Sequence, residues 1–423
     1  QHPDKTMIRL RVSKIFQGDK VIWIVFFFLC IISLVEVFSA ASTLSYKSGS
    51  FWTPFWRQAQ FLGMGALVVI CIHNIPCRWF KLVPLFFLVF TWLLLLITLL
   101  FGNDTNDAKR WLDIFGLSFQ PSELAKGVVV TTVALILAAM QREEGADRRA
   151  FKFVLIITFI TCGLIVAENL STAALLFAVV AIMMFVGRIP LVQMGKLLGA
   201  CALFAGLFAA VIFLAFPDNP DAEIYQKRPF HRVLTWKERI NDHREATKVV
   251  SPKDLDYDND AQAIHANIAI ASSGGIGRMP GNSIERDFLS QAFSDFIFAI
   301  IIEEMGLWGA IIVVFLYLVL MFRAGRIASR CERNFPAFLI MGLAMLLVFQ
   351  AFTNMLVAVG ILPVTGQPLP LISRGGTSTI ITCAYFGMML SVSRYARKTD
   401  TKVEQQHNTD LAQAEFQNDN NLV

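Results

Sequence analysis

The residue best suited to chemistry is Asp295, in the first turn of a helix predicted from the apolar run 295–321. Insertion of a carboxylate into hydrocarbon costs roughly 3 kcal/mol, so an acid in such a segment is a functional candidate by default. Glu303 and Glu304 follow, but helical geometry places them roughly 12–14 Å deeper and on other faces. We therefore expect neither to form a close acid–base pair with Asp295, and for Glu304 we favour a partner on a neighbouring helix.

A second charged group occurs in the segment Gln120-Pro-Ser-Glu-Leu-Ala-Lys126. A proline followed by serine and Glu123 is typical of a helix start, where the helix dipole favours an acid. Glu123 and Lys126 are three residues apart and share a helix face. Two interpretations have equal weight: a structural ion pair that satisfies itself, or a lysine held near the outer surface to bind an anionic ligand.

Two further segments are rich in glycine. Segment 271–283 lacks the Gly-Lys-Ser/Thr ending of a nucleotide-binding loop, and a re-entrant turn is the favoured interpretation. The alternative is that its backbone amides and Arg278 face a phosphate. Segment 360–376 carries three prolines and four glycines in 17 residues. Irregular backbone at membrane depth persists only where protein buries it or a wet cavity borders it, so this segment predicts a cavity.

The elements that must position these residues are membrane helices. The chain has 423 residues, of which 55% are hydrophobic and 16% charged, whereas soluble domains carry about 25% charged residues. A membrane span needs about 20 apolar residues. Ten such runs are centred on residues 21–41, 58–75, 82–101, 122–140, 153–168, 171–187, 195–216, 295–321, 336–358 and 377–393. The fifth and sixth meet at a polar hairpin around Glu168 and Asn169.

The distribution of lysine and arginine sets the orientation. The short loops on one side of the predicted membrane carry most of these residues, and that side is cytoplasmic. The predicted fold class is an all-α polytopic membrane protein with ten transmembrane helices, both termini cytoplasmic, and one large extracytoplasmic loop between helices 7 and 8. The predicted domains are a cytoplasmic segment (1–20), the transmembrane domain (21–394, with the large loop at 217–294) and a disordered cytoplasmic tail (395–423).

Five segments together resemble the SEDS family of bacterial cell-wall proteins (shape, elongation, division and sporulation). They are Lys109-Arg-Trp111, Gln120–Lys126, the glycine-rich 274–283, Ser294–Glu304, and Leu362–Ser378. The resemblance covers most of the chain in order. It implies a peptidoglycan glycosyltransferase that joins lipid II units into glycan strands at the outer face of the bacterial cytoplasmic membrane. It also implies a multi-pass inner-membrane protein at the division septum.

The resemblance makes Asp295 the catalytic aspartate, acting as general base on an acceptor sugar hydroxyl. Basic groups must then meet the diphosphate leaving group, and a bound divalent cation, Mg²⁺ or Mn²⁺, is the alternative to side chains. No covalently bound cofactor is expected. The residues predicted to bind substrate are Lys126, Glu123, Arg110, Arg232, Gln262, Arg278, Ser283 and Ser378. The implied partners are lipid II, a class B penicillin-binding protein that supplies transpeptidation, other division proteins and membrane lipid, with no nucleic acid.

The chain also departs from the family pattern. Asn169 stands where many relatives carry an aspartate, with Glu168 one position away as a substitute, and Arg374 stands where relatives often have tyrosine. The features together resemble the division branch more than the elongation branch. Two other functions stay open: a lipid II flippase without chemistry, and a non-catalytic scaffold for division proteins. The charged residues gather at the predicted outer face, which favours an enzyme there.

Overall fold

The protein, seen here as a computed structural model, is described over residues 16–40, 52–105, 108–114, 117–143, 145–215, 261–289 and 293–396. It is mostly helical. The helices are α1 (Lys20–Ala40), α2 (Thr53–Asn74), α3 (Val83–Phe101), α4 (Pro121–Ala139), α5 (Arg148–Val166), α6 (Leu170–Val186), α7 (Leu191–Ala215), α8 (Ala261–Ser272), α9 (Ile297–Ala328), α10 (Asn334–Ala358) and α11 (377–396). Short 3₁₀ turns lie at Cys77–Leu82 and Glu285–Asp287.

Each of the ten predicted apolar runs falls on a helix. Within the described part of the chain, eight helices are long and apolar enough to cross a membrane, and α6 is a shorter apolar helix. These helices make the protein a multi-pass membrane protein. Asn169 separates α5 from α6 and caps α6, since its side chain accepts a hydrogen bond from the Thr172 amide at 3.1 Å. The predicted polar hairpin at this point is confirmed.

Helices α4 and α10 form the centre of the bundle. Their apolar side chains are buried over most of their length, whereas α3 and α7 expose theirs, as expected for helices that face lipid. Lipid tails are as apolar as leucine, so the hydrophobic effect does not drive helices together inside a membrane. Close packing at small residues stabilises their contacts instead. A Cβ at Gly127 of α4 would collide with the ring of Tyr385 on α11. The Tyr385 hydroxyl, in turn, accepts from the Gly127 amide at 3.0 Å and donates to the Glu123 carbonyl.

Helix α9 differs from its prediction in two ways. It begins at Ile297 rather than at residue 295, so Asp295 lies in the turn before the helix. It is also interrupted at Gly306, where φ is 67° and ψ is −166°. The glycine-rich segment packs against this kink: the Leu307 amide donates to the Gly275 carbonyl at 3.1 Å, and the Arg278 amide to the Glu303 carbonyl at 2.9 Å. The favoured interpretation of that segment, a turn rather than a phosphate loop, agrees with these contacts.

The prediction of an all-α fold omitted a small sheet. Strands β1 (Asn103–Thr105), β2 (Ala108–Ile114) and β3 (Leu117–Phe119) form an antiparallel sheet between α3 and α4, with Leu112 opposite Phe119. Two further strands, β4 (Gln141–Arg142) and β5 (Gly145–Ala146), pair between α4 and α5. Backbone N–H and C=O groups need partners near a membrane, and pairing supplies them where the helix stops. Helix α8 lies in the predicted large loop; the predicted tail beyond residue 396 and loop residues 216–260 lie outside the described residues.

Candidate active site

A cavity of about 510 Å³ opens at the end of the bundle that the charge distribution predicts to face outward. Six elements build its wall: the start of α2, the strands β2 and β3, the turn 293–296, the loop 366–376 and the start of α11. Its lining residues are Arg57, Gln58, Phe61, Arg110, Trp111, Asp113, Ser118, Gln120, Phe293, Ser294, Asp295, Gly366, Pro368, Arg374, Gly375, Gly376, Thr377 and Ser378. The loop 366–376, the carboxylate of Asp295 and several arginines therefore line one cavity.

Asp295 reaches this cavity from a short turn, and its side chain is partly exposed. The Ser294 hydroxyl donates to Asp295 Oδ1 at 2.9 Å. The backbone of Asp295 is fixed from behind, because Asn354 Nδ2 on α10 donates to its carbonyl at 2.8 Å. In a helix, the direction of the carboxylate would be set by the helix face on which the residue lies. Because Asp295 lies in a turn before α9, its carboxylate can face the cavity.

The loop 360–376 holds the turn that carries Asp295. The Ser373 hydroxyl donates to the Ser294 carbonyl at 2.6 Å, and the Arg374 amide donates to the Phe293 carbonyl at 3.0 Å. The Tyr317 hydroxyl on α9 donates to the Pro370 carbonyl. Irregular backbone is thus paired with protein on one side and lines a cavity on the other, as the sequence predicted.

Arg110 and Asp295 face the same glycine. Gly366 adopts a φ of +66°, and a Cβ built on it would lie 3.2 Å from Arg110 Nη1 and 3.7 Å from Asp295 Oδ2. Any side chain at this position would enter the space between the Asp295 carboxylate and the Arg110 guanidinium, so only glycine leaves that space open. Arg110 Nε also donates to the Glu168 carbonyl at 3.2 Å, which joins β2 to the α5–α6 hairpin.

Two more arginines, Arg57 and Arg374, line the cavity. Burial lowers the pKa of the Arg374 guanidinium, and repulsion from the neighbouring positive charge of Arg57 lowers it further. The Arg374 guanidinium lies 5.4 Å from the centre of the Phe293 ring, beside the turn of Asp295. Like charges on one wall repel, so an anion between them is favoured. Neither arginine was among the predicted site residues, although both fall in predicted outer loops.

Three predicted site residues come together here: Asp295, Arg110 and Ser378 all line the cavity. Glu123 and Lys126 do not. Lys126 is fully buried on α4, with its Nζ 2.7 Å from Glu123 Oε1 and 2.7 Å from Gln350 Oε1. The geometry matches the structural interpretation of this pair, since the lysine is enclosed by its own partners and is not among the lining residues of the cavity.

Arg278 and Ser283 lie at the kink of α9, away from the cavity lining. Arg278 Nε is 3.9 Å from Glu303 Oε1, and the Ser283 hydroxyl donates to Glu303. Glu304 accepts from the Ser39 hydroxyl of α1, which confirms the predicted partner on a neighbouring helix.

Gln262 lies on α8 and does not line the cavity either. Arg232 lies outside the described residues.

The described residues include no group of three or more histidine, cysteine, aspartate or glutamate side chains that could hold a metal ion. Two carboxylates, Asp113 and Asp295, nevertheless line the cavity. Mg²⁺ is usually held by one or two carboxylates together with substrate phosphates, so Asp113 and Asp295 would be the candidate ligands of a divalent ion that arrives with a diphosphate. A divalent ion remains a prediction.

A polytopic helical membrane protein with a charged cavity at one end of its bundle is the class that this fold and site define. Residues 19–398 match the family described as "Cell cycle protein", FTSW_RODA_SPOVE, and the chain belongs to that family. The family resemblance drawn from the motifs is thereby confirmed.

The relatives include a probable peptidoglycan glycosyltransferase FtsW from Saccharophagus degradans, 30% identical over 86% of this chain and 89% of that protein. A probable peptidoglycan glycosyltransferase FtsW from Haemophilus influenzae is 30% identical over 90% of this chain and 91% of that protein. The peptidoglycan glycosyltransferase MrdB of Escherichia coli K12 is 28% identical over 82% of this chain and 87% of that protein.

Solved structures share the fold. A chain of a peptidoglycan synthase complex, studied for the coordination of polymerization and crosslinking, superposes with a TM-score of 0.68 at 24% identity, over 90% of this chain and 99% of that chain. The rod shape determining protein RodA of Thermus thermophilus gives a TM-score of 0.61 at 24% identity, over 90% and 97% of the two chains.

Proposed function

We propose that this protein is a peptidoglycan glycosyltransferase that polymerises lipid II into glycan strands at the outer face of the bacterial cytoplasmic membrane. The observation that carries the proposal is the cavity in which Asp295 faces Arg110 across Gly366, with Arg57 and Arg374 on the same wall. The names of the relatives agree with this activity, and those named FtsW support a role in septal wall synthesis during cell division.

The proposed topology places the cavity on the correct side of the membrane for this reaction. Ten membrane-spanning helices, with both ends in the cytoplasm, put the start of α2, the strand β2 and the turn 293–296 outside. The large loop between α7 and α9 is then extracytoplasmic. The excess of lysine and arginine in the opposite loops supports this orientation.

In the proposed reaction, Asp295 accepts the proton of an acceptor sugar hydroxyl. The hydroxyl oxygen forms a bond to the anomeric carbon of the donor sugar as the bond from that carbon to the diphosphate oxygen breaks, and the polyprenyl diphosphate leaves with the electron pair. A general base of this kind contributes about 10²–10⁴-fold to the rate. A diphosphate is a good leaving group, so a second carboxyl acting as an acid is less necessary than in glycosidases.

The arginines would bind the diphosphate leaving group and stabilise its negative charge. Arginine presents several N–H donors in a fixed geometry that suits phosphate, and such contacts are strong where water is restricted. Arg110 lies beside Asp295, whereas Arg57 and Arg374 lie on the cavity wall contributed by α2 and by the loop before α11. A divalent ion would neutralise part of the diphosphate charge from the carboxylate side. The polyprenyl chain would leave the cavity along the apolar outer faces of the helices.

The partners proposed for this chain follow from the family. A class B penicillin-binding protein would crosslink the strands that this protein makes, and other division proteins would recruit the pair to the septum. The fold shared with a chain of a peptidoglycan synthase complex supports an assembly of this kind.

The test is a polymerisation assay with purified protein, its transpeptidase partner and lipid II in detergent or in vesicles. We expect glycan strands, detected by gel or by mass after muramidase digestion. A flippase would move lipid II between leaflets without making strands, and a scaffold would do neither. Transport without polymerisation, in the presence of the partner, would contradict the proposal.

A further inference from the structure

Helix α10 carries two buried amide side chains, Gln350 and Asn354, four residues apart in an apolar sequence. Residues at this spacing share one face of a helix. Both side chains are almost fully buried, at 3% and 1% exposure. Polar groups are costly inside a membrane protein and usually face the interior, where they have a task.

Asn354 holds two backbone segments together. Its Nδ2 donates to the Asp295 carbonyl at 2.8 Å and to the Gln367 carbonyl at 2.8 Å. The first acceptor belongs to the turn that presents the carboxylate, and the second follows Gly366, the residue that separates Asp295 from Arg110. One side chain therefore sets the distance between the two walls of the cavity at the reacting acid.

Gln350 connects the same loop to the buried ion pair. Its Nε2 donates to the Pro368 carbonyl at 3.0 Å, and its Oε1 accepts from Lys126 Nζ at 2.7 Å. Lys126 cannot rotate away, because Glu123 holds it at 2.7 Å. The ion pair thus fixes the orientation of the Gln350 amide, and the amide fixes the loop.

The nitrogen and the oxygen of the Asn354 side-chain amide differ in their hydrogen bonding. Both of its described hydrogen bonds use the amide nitrogen, while Oδ1 is buried without a hydrogen-bond partner in the part of the chain that the structure describes. Buried polar atoms in native proteins normally have partners, and an exception calls for an explanation. A leucine of similar size would fill this space without burying an unpaired oxygen, so packing alone does not explain an asparagine at this position.

We propose that Asn354 is a positioning residue for Asp295, and that Gln350 transmits the rigidity of the Glu123–Lys126 pair to the same loop. The inference rests on the proposed role of Asp295 as the base. Asn354 does not touch the reacting atoms; it sets where the carboxylate stands relative to the acceptor hydroxyl. A displacement of about 1 Å at a reacting group costs roughly a hundredfold in rate, so a positioning residue acts on turnover more than on substrate affinity.

The experiment compares Asn354→Leu and Asn354→Asp, two variants of similar volume that lose both N–H donors, with the control Thr353→Val. Among the residues that the structure describes, the hydroxyl of Thr353 bonds only its own helix, at the Phe349 carbonyl. Each purified protein is assayed with its partner over a range of lipid II concentrations, and its thermal unfolding is measured in the same detergent.

We expect both Asn354 variants to lose tenfold or more in kcat while KM stays within about twofold. The Thr353→Val variant should match the wild type in both. A rise in KM at constant kcat, wild-type kcat in both variants, or a failure of both variants to fold would each overturn the positioning role. Asp295→Asn is assayed alongside: if that variant polymerises lipid II, the proposed base itself is wrong, whatever the Asn354 variants do.

Discussion

At the scale of single residues, the acid and the bases of the cavity were only partly predictable. Asp295 and Arg110 were found because charge in an apolar or motif-rich segment is itself a signal. Arg57 and Arg374 were not assigned, because nothing in the sequence brings the start of α2 close to the loop before α11. Arg278 was predicted to bind substrate because a cation in the segment 271–283 could meet a phosphate, whereas its contact with Glu303 depends on how the chain folds back.

The first prediction concerns Lys126, for which two interpretations were open. Lys126→Met removes one partner of a fully buried pair and leaves Glu123 buried without its cation. Breaking such a pair costs about 3–5 kcal/mol, so we expect a marked fall in unfolding temperature, measured in detergent. The double variant Glu123→Gln with Lys126→Met should recover part of that loss, because no charge is then left unpaired.

A different outcome would restore the ligand-binding interpretation of Lys126. It would be a Lys126→Met protein that unfolds like the wild type but needs more lipid II for half-maximal polymerisation.

The second prediction concerns Arg374. Replacing it with alanine removes a cavity guanidinium that the diphosphate would otherwise meet. A hydrogen bond to a charged group contributes about 1.5–3 kcal/mol, so KM for lipid II should rise roughly tenfold to a hundredfold. The matched control is Arg333→Ala, an exposed arginine at the start of α10, which should leave KM unchanged. Unchanged KM in Arg374→Ala would remove this arginine from the proposed site.

At the scale of elements, the helices were predictable and their interruptions were not. Apolar length alone identified every long helix, since a span requires about 20 such residues. The strands β1–β3 are short, and two of them have only three residues, so no periodic pattern marks them. The start of α9 was displaced by two residues because the loop 360–376, distant in sequence, pairs with residues 293 and 294, and Asn354 bonds residue 295, which together hold this turn outside the helix.

The third prediction concerns the kink of α9. Gly306 has a positive φ of 67°, and a Cβ there would collide with the Gly275 carbonyl oxygen. Gly306→Ala should therefore destabilise the protein by about 1–3 kcal/mol or more through backbone strain and displacement of the glycine-rich segment. Gly163→Ala is the control, since Gly163 lies inside α5 with nothing within 4 Å of the added methyl.

Thermal unfolding of the two glycine variants separates these cases. Gly163→Ala should be neutral or slightly stabilising, because glycine is unfavourable in a helix interior. Equal unfolding temperatures for the two variants would show that the kink does not depend on glycine.

At the scale of the whole molecule, the chain is a helical bundle with a charged cavity at one end. The buried ion pair, the two amides of α10 and the loop 360–376 form one continuous set of hydrogen bonds that reaches Asp295 from the interior. Composition predicted the bundle, and the motifs predicted that the charged segments belong to one site. Which residues contact one another in that set depends on the fold, because the bonds from Lys126 to Gln350 and from Asn354 to Asp295 join segments far apart in sequence.

The fourth prediction tests the orientation of the bundle. Alkaline phosphatase is active only outside the cytoplasm, so a fusion after residue 250, in the large loop, should be active. A fusion after residue 423 should be inactive, whereas a fluorescent protein at that end should fluoresce. The reverse pattern would place the cavity on the cytoplasmic side, where the proposed reaction cannot extend an external wall.

The most direct test of the account is the activity of Asp295→Asn, which keeps the size of the side chain and removes its ability to accept the proton. Glu332→Gln is the control, because Glu332 is an exposed carboxylate between α9 and α10 that does not line the cavity. Each protein is purified with its transpeptidase partner, checked for wild-type unfolding temperature, and given lipid II. We expect glycan strands to fall at least about a hundredfold with Asp295→Asn and to persist with Glu332→Gln. Polymerisation by a folded Asp295→Asn protein at the wild-type rate would contradict the account.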